Sequence, residues 1–291
     1  MVTQTMLTKP DRVSIMVNIN RLTPAKRKAV VACLVEGNSI RATVRMTGVA
    51  KNTIVKLLTD LGEACSNYQD AHLRNLKAKR VQCDEIWSFI FAKKKNVTEE
   101  MLEQHPDAGD VWAWTALDAD SKLILSYRVG SRDGRTAYEF MSDVAARVNG
   151  LIQLSTDGFN HYLVAVEGAF GMDVDYAMVH KIYAAGSDGR HSPAECIGCN
   201  KIEISGSPDM RHASTSHVER QNLSMRMSMR RFTRLTNAFS RKIENHAAMV
   251  SLYFMYYNFG RVHQSLRVTP AMQAGVSDHV WGIEEIVGLL S

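Results

Sequence analysis

Between residues 24 and 64 the apolar positions recur at helical spacing three times. Ala29, Val30, Cys33 and Leu34 form one stripe, which Pro24 can open and Gly37-Asn38 closes. Ser39 then stands where an N-cap belongs, and the stretch from Ile40 to Thr47 stops at Gly48. From about Ala50 onward, Ile54, Leu57, Leu58 and Leu61 share a face and predict a third helix. Two helices joined by a tight glycine turn, with Lys51, Asn52, Thr53 and Lys56 near the start of the second, match a helix-turn-helix. Residues 65–80 read as a trailing helix or linker.

At residue 81 the period changes from helical to two. Val81, Cys83, Glu85, Trp87, Phe89 and Phe91 alternate with Gln82, Asp84, Ile86, Ser88 and Ile90, and both sets are largely apolar, as in a strand buried on two faces. A lysine-rich excursion follows, then two more strand-like runs, Val111 to Leu117 and Lys122 to Val129, with a hairpin-type turn at Asp118-Ala-Asp-Ser. A helix fits Arg135 to Val148, since Ala137, Met141, Val144 and Val148 share a face. A fourth strand, Leu151 to Ser155, runs into Thr156-Asp157-Gly158, and a helix from His161 to Phe170 and a strand from Tyr176 to Tyr183 follow. Ala184 to Arg211, rich in Gly, Ser and Asp, reads as a loop or insertion, and Ile243, Ala247, Val250, Phe254 and Tyr257 predict a last helix from Phe239 to Tyr257. Strands mixed with crossover helices imply an α/β sheet covered on both faces, preceded by a small all-α part.

Charge sharpens this division. Residues 1–80 hold fourteen Lys/Arg against five Asp/Glu, a balance of +9 that leaves −4 for residues 81–291 of the total +5. A second basic concentration, Arg211 to Lys242, has eight Lys/Arg opposed by Glu219 alone. Two such patches fit a polyanion bound through phosphate neutralisation. Arg41, Arg45, Lys51, Asn52, Thr53 and Lys56 are therefore candidate DNA contacts. With no run of eighteen apolar residues and no apolar signal-peptide core near the start, a cytoplasmic protein is expected, and binding to DNA would associate it with the nucleoid. Five cysteines, an odd number, suit reduced thiols better than a disulfide framework.

Two carboxylates interrupt segments that otherwise want burial, and a third flanks a buried stripe. Asp84 lies mid-strand, where a lone charge costs several kcal/mol unless a partner or a cation compensates. Asp157 ends the fourth strand, at the edge where α/β sheets bind ligands. On a helix starting near Thr215, Val218, Met225, Met229 and Phe232 make a buried stripe, while Glu219, Asn222, Arg226 and Arg230 lie roughly 100° round on a neighbouring face. Three hard oxygen donors suit two Mg²⁺ or Mn²⁺ ions rather than zinc. Asn222 is a candidate for orienting a water or a phosphate, and Arg226, Arg230, Arg231 and Arg234, with Arg241 and Lys242 on the next helix, are candidates for gripping the DNA backbone.

Asp84-Glu-Ile-Trp-Ser-Phe, Ser155-Thr-Asp157-Gly-Phe and His217-Val-Glu219-Arg-Gln-Asn-Leu-Ser-Met-Arg, behind a helix-turn-helix, resemble the DDE transposases of bacterial insertion sequences, most closely the insertion-sequence-one family. The ending from Tyr257 to Ala271, with Arg261, His263 and Pro270, is similar to the C-terminal part of many such cores. The resemblance implies a ribonuclease H-like catalytic domain over 81–291 behind a DNA-binding domain and linker over 1–80. It also implies two divalent ions on Asp84, Asp157 and Glu219, and cleavage and strand transfer at terminal inverted repeats and target DNA. A homodimer or larger homo-oligomer would hold the paired ends.

One departure stands out. Many relatives carry an N-terminal cysteine cluster that resembles a small zinc module, and no cysteine here precedes Cys33. DNA binding then rests on the helix-turn-helix and the basic faces. Cys196 and Cys199 have half the spacing of a zinc site, which His191 and His212 would have to complete; free loop thiols are the simpler reading. Two other functions remain compatible with the residues: a structure-selective nuclease using the same acids, and a helix-turn-helix regulator with no enzymatic activity.

Overall fold

The computed structural model of the chain describes residues 22–184, 196–233 and 236–290. Side-chain caps start the first two helices: Thr23 Oγ1 accepts from Lys26 N ahead of α1 (Pro24–Val35), and Ser39 Oγ accepts from Ala42 N ahead of α2 (Ile40–Thr47). Gly48, at φ 68°, ends α2 in the left-handed region. α3 (Lys51–His72) runs unbroken for 22 residues, so the expected trailing segment begins as its continuation.

The core follows the predicted order with additions. β1 (Arg80–Ile90), the short α4 (Glu99–Gln104), β2 (Gly109–Asp118), β3 (Ile124–Gly130), α5 (Gly134–Arg147), β4 (Ile152–Asp157), α6 (His161–Phe170) and β5 (Val174–Tyr183) come first. β6 (Cys196–Ser205), α7 (Ser216–Ser228), α8 (Ile243–Met255), α9 (Pro270–Gln273) and α10 (Ile283–Gly288) complete it. The sheet has the order β3-β2-β1-β4-β5-β6. β1, β2 and β3 are joined antiparallel, β4 lies parallel to both β1 and β5, and β6 returns antiparallel to β5. α5 and α6 cover one face, and α7 and α8 lie against the strands on the other. This mixed sheet with helices on both faces is a ribonuclease H-like core, as expected from the sequence.

Trp114 anchors the α5–α6 side. It is fully buried beside Phe140 and Tyr162, and its Nε1 donates to Ser131 O at 3.1 Å, which satisfies the polar end of an otherwise apolar contact. On the other side α3 packs along α8. Ser251 Oγ donates to Gly62 O at 2.7 Å, while Gln69 Nε2 reaches Ser251 O (3.3 Å) and Tyr127 Oη (3.1 Å) on β3. No helix among the described residues is long and apolar enough to cross a membrane.

Three boundaries differ from expectation. Part of the presumed loop from Ala184 to Arg211 is β6, an edge strand exposed along most of its length, so it lacks the buried face that makes a strand legible. α7 ends at Ser228, and Arg230 and Arg231 fall in a following 3₁₀ turn. The last long helix starts at Ile243, so Arg241 and Lys242 precede it, Lys242 as its N-cap.

α8 also buries His246. Its Nδ1 lies 3.1 Å from Ser240 Oγ, its Nε2 has no hydrogen-bond partner among the described residues, and burial beside Arg231 pulls its pKa down to about 3. The unfolded imidazole takes a proton near pH 6.5, whereas the folded one refuses it until far lower. Stability should therefore fall as pH drops below about 6.5, by roughly 2 kcal/mol between pH 6.5 and 5. His246→Leu should flatten that part of the melting-temperature profile; an unchanged slope would place the pH sensitivity elsewhere.

Candidate active site

The β1–β4 ladder ends where Cys83 faces Thr156. The next residues, Asp84 and Asp157, stand where the two strands part, so their side chains are not covered by a continuing sheet. Consecutive strand residues point to opposite faces. Asp84 turns toward α7, where Asn222 Nδ2 donates to its Oδ2 at 2.8 Å. Glu85 turns toward α6, where Tyr162 Oη donates to one carboxylate oxygen at 3.0 Å and Arg132 Nε to the other at 2.5 Å. Because the strands part here, one oxygen from each of Asp84, Glu85 and Asp157 lies within 4.8 Å of the others.

Glu219 borders the same cleft from the first turn of α7, outside that close trio. Thr215 Oγ1 donates to one of its oxygens at 2.6 Å and Lys181, from β5, forms an ion pair with the other. The cleft encloses about 880 Å³ and is also lined by Arg132, His180, Asn222 and Arg226.

Crowded acids resist ionisation. Burial, reinforced by the charges of Glu85, Asp157 and Glu219, pushes Asp84 up to about 8. Burial and Asp157 raise Glu85, against the lowering effects of Arg132 and Tyr162. Asp157 is raised by burial, against the Phe159 N–H that its Oδ1 accepts at 3.1 Å. Asn222 is itself buried, and its Oδ1 has no hydrogen-bond partner among the described residues. Clustered hard oxygens, raised carboxylate pKa values and an orphaned amide oxygen fit a divalent cation with oxygen preference.

The other candidate residues scatter. Arg41, Arg45, Lys51, Asn52, Thr53 and Lys56 are all exposed on α2 and α3, with Lys56 paired to Asp60 at 2.8 Å. The α1–α2 turn approaches the end of α7: at Gly37, whose φ is +80°, a Cβ would come within 2.7 Å of Ser228 O. Arg226 lines the cleft, and its Nη1 donates to Phe232 O at 3.3 Å. Arg230, Arg241 and Lys242 are exposed. Arg231 turns inward instead, donating to Ser240 Oγ at 2.6 Å and Asn245 O at 3.0 Å, so its guanidinium serves the packing of α8. Arg234 and His191 lie outside the described residues.

His217 does not border the cleft; its Nε2 lies 3.2 Å from Lys122 Nζ. Cys196 and Cys199 stand exposed on a strand rather than in a loop, and His212 bonds to Asp209 at 3.1 Å. Among the described residues the acidic trio is the group close enough to hold a metal ion.

Sequence reasoning missed Glu85, Arg132, Tyr162 and Lys181. A second acid beside Asp84 in a strand otherwise apolar on both faces was the available signal for Glu85. Nothing local marks the other three.

No family model matches the chain. It is 23% identical over 180 residues to the insertion element iso-IS1n protein InsB of Shigella dysenteriae, a match spanning 61% of this chain and 95% of that protein. Among solved structures, the piggyBac transposase synaptic complex with hairpin DNA is similar over 92% of this chain and 69% of its own, at a TM-score of 0.43 and 9% identity, which is too distant to bear on function. The similarity to the insertion-element protein therefore extends over nearly the whole length of that protein.

Proposed function

We propose that the protein is a DDE-type DNA transposase. It binds the terminal inverted repeats of an insertion sequence, cuts the DNA there and joins the freed 3′-hydroxyl to target DNA, as a homodimer or larger homo-oligomer on paired ends. The observation that carries this reading is that Asp84, Asp157 and Glu219, from a strand interior, a strand end and a distant helix, border one cleft.

Those three acids would hold two Mg²⁺ or Mn²⁺ ions, with Glu85 near enough to share in the task. Bound divalent cations supply an activated oxygen nucleophile and offset the charge of the leaving oxygen. The chain's own residues orient the parts. Asn222 holds the Asp84 carboxylate by one oxygen, and Lys181 and Thr215 hold Glu219 from both sides. Arg226, beside the cleft, and the exposed Arg230, Arg241 and Lys242 would grip backbone phosphates. Arg231 is omitted, since its guanidinium is engaged inside the protein.

Residues 1–80 are assigned to DNA recognition, with the start of α3 entering a major groove. Arg45→Ala and Lys51→Ala should each weaken binding uniformly across sequences and lower the salt slope by about one. Asn52→Ala should instead relax sequence preference, costing about 1–3 kcal/mol on the preferred site. Fluorescence anisotropy over a salt series measures both, and unchanged slopes in Arg45→Ala and Lys51→Ala together with an unchanged sequence preference in Asn52→Ala would remove α2 and α3 from the interface.

Labelled inverted-repeat DNA with Mg²⁺ tests the activity. The expected products are nicked ends and, with a target plasmid present, joined strands. Cleavage without joining would identify a nuclease, and binding without cleavage a regulator.

A further inference from the structure

Arg132, in the loop between β3 and α5, reaches into the acidic trio. Its Nε donates to Glu85 Oε1 at 2.5 Å and its Nη2 lies 3.8 Å from Asp157 Oδ2. The guanidinium also rests over the Phe159 ring, 4.1 Å from its centroid, and the Phe159 N–H in turn donates to Asp157. The two ends of the Arg132–Glu85 pair differ in burial: the Glu85 side chain is 2% exposed, whereas that of Arg132 is 38% exposed. A buried carboxylate is thus neutralised by a cation that enters from the solvent side of the cleft. Tyr162 completes the coordination of Glu85 with a neutral hydroxyl, so Arg132 supplies the positive charge in direct contact with that acid.

We propose that Arg132 is an internal counter-ion that competes with the divalent cation for Glu85 and Asp157. While it is docked, three crowded acids are tolerated without a metal. A divalent ion must displace it or accept a smaller share of the negative charge, so Arg132 sets the cation concentration at which the cleft fills. The inference rests on the reading of the cleft as a divalent-cation site, and it makes Arg132 a positioning residue for the acids.

The competition predicts a direction that a merely structural role does not. If Arg132 only shaped the site, its loss would weaken cation binding; if it competes, its loss strengthens it. Mn²⁺ binding to the full-length protein, followed by calorimetry and by electron paramagnetic resonance of the free ion, should be about tenfold tighter in Arg132→Gln than in wild type. Mn²⁺ should also raise the melting temperature of that variant more than that of wild type, since the ion replaces a lost counter-charge on Glu85. Removing both charges, in Glu85→Gln/Arg132→Gln, should return the affinity toward the wild-type value.

Equal or weaker Mn²⁺ binding by Arg132→Gln overturns the proposal, as does a double variant that stays as tight as the single one. Should Arg132→Gln not fold, Arg132→Lys keeps the charge but loses the fork, and a partial tightening is then expected, with no change overturning the idea. Asp157→Asn separates the two levels. If wild type binds no Mn²⁺, or Asp157→Asn binds it equally well, the cation reading of the cleft fails and the competition with it.

Discussion

Asp84→Asn is expected to lower metal-dependent cleavage of inverted-repeat DNA about a thousandfold or more, and to leave DNA binding near wild-type strength. A thousandfold corresponds to about 4 kcal/mol of transition-state stabilisation, within what a lost cation site withdraws from phosphodiester chemistry. The substitution preserves the fold for a specific reason. The carbonyl oxygen of the new amide can still accept from Asn222 Nδ2, and the buried charge that burial and three neighbouring acids penalise is removed. Melting temperature should accordingly stay the same or rise slightly. Asp157→Asn and Glu219→Gln should give similar losses of cleavage, and combining them should add little, because residues acting as a unit do not contribute independently. Filter binding and gel analysis of labelled ends measure the two properties on one preparation. An Asp84→Asn protein that still cleaves would exclude the acidic cleft as the active site, whatever its DNA affinity.

Gly62→Val is expected to destabilise the whole chain by at least about 3 kcal/mol. Gly62 lies mid-α3, where a glycine normally costs about 1 kcal/mol relative to alanine. Tertiary packing reverses that preference, because a Cβ at this position would stand 2.5 Å from both Cα and Cβ of Ala248 and 2.7 Å from its carbonyl oxygen. The close approach is backbone against backbone, so no side-chain rotation relieves it, and overpacking of this kind costs 1–3 kcal/mol or more even for small additions. For Gly62→Ala the gain in helix propensity offsets part of the clash, leaving a loss of about 1–2 kcal/mol. Valine has less propensity to recover and two more carbons to place. At roughly 2–4 °C per kcal/mol in a chain of this size, the valine variant should melt about 6–12 °C lower. A variant that melts at the wild-type temperature would mean that α3 and α8 are not in the contact described.

This second expectation bears on how the first three helices relate to the core. α3 reaches β3 and α8 through Gln69, Tyr127 and Ser251, so damage at Gly62 should lower the melting of the sheet as well as of the helices. Circular dichroism at helix and tertiary wavelengths would show one coincident transition if the contact couples them.

Much of the candidate site was legible in the sequence, and the reasons are local. Asp84 stood out because its neighbours on the same face of the strand, Ile86 and Ile90, are buried, and a charge among them demands explanation. Asp157 stood out because a strand pattern ends on it. Glu219 was separable from the apolar stripe of α7 because Val218, Met225, Met229 and Phe232 do become the buried side. Arg231 could not be told from Arg230 in the same way. The two are adjacent and equally basic, and only the position of Ser240 and Asn245 turns one of them inward.

The amino-acid sequence by itself determined the elements whose cause lies within a few residues. Thr23 and Ser39 cap their helices, Gly48 ends α2, and the change of apolar period at residue 81 starts the sheet. Those interactions span one turn or one pleat, so the order of residues suffices to specify them. Tertiary structure alone decided which of the acids meet and what restrains them. Glu85 finds Arg132 at a separation of 47 residues and Tyr162 at 77, and Asp84 finds Asn222 at 138. Such pairs depend on strand register and on where β1 and β4 part, quantities set by the packing of the whole sheet. Edge strand β6 belongs with them: with most of its length open to solvent, its place was settled by backbone hydrogen bonds to β5, which leave no hydrophobic period in the sequence.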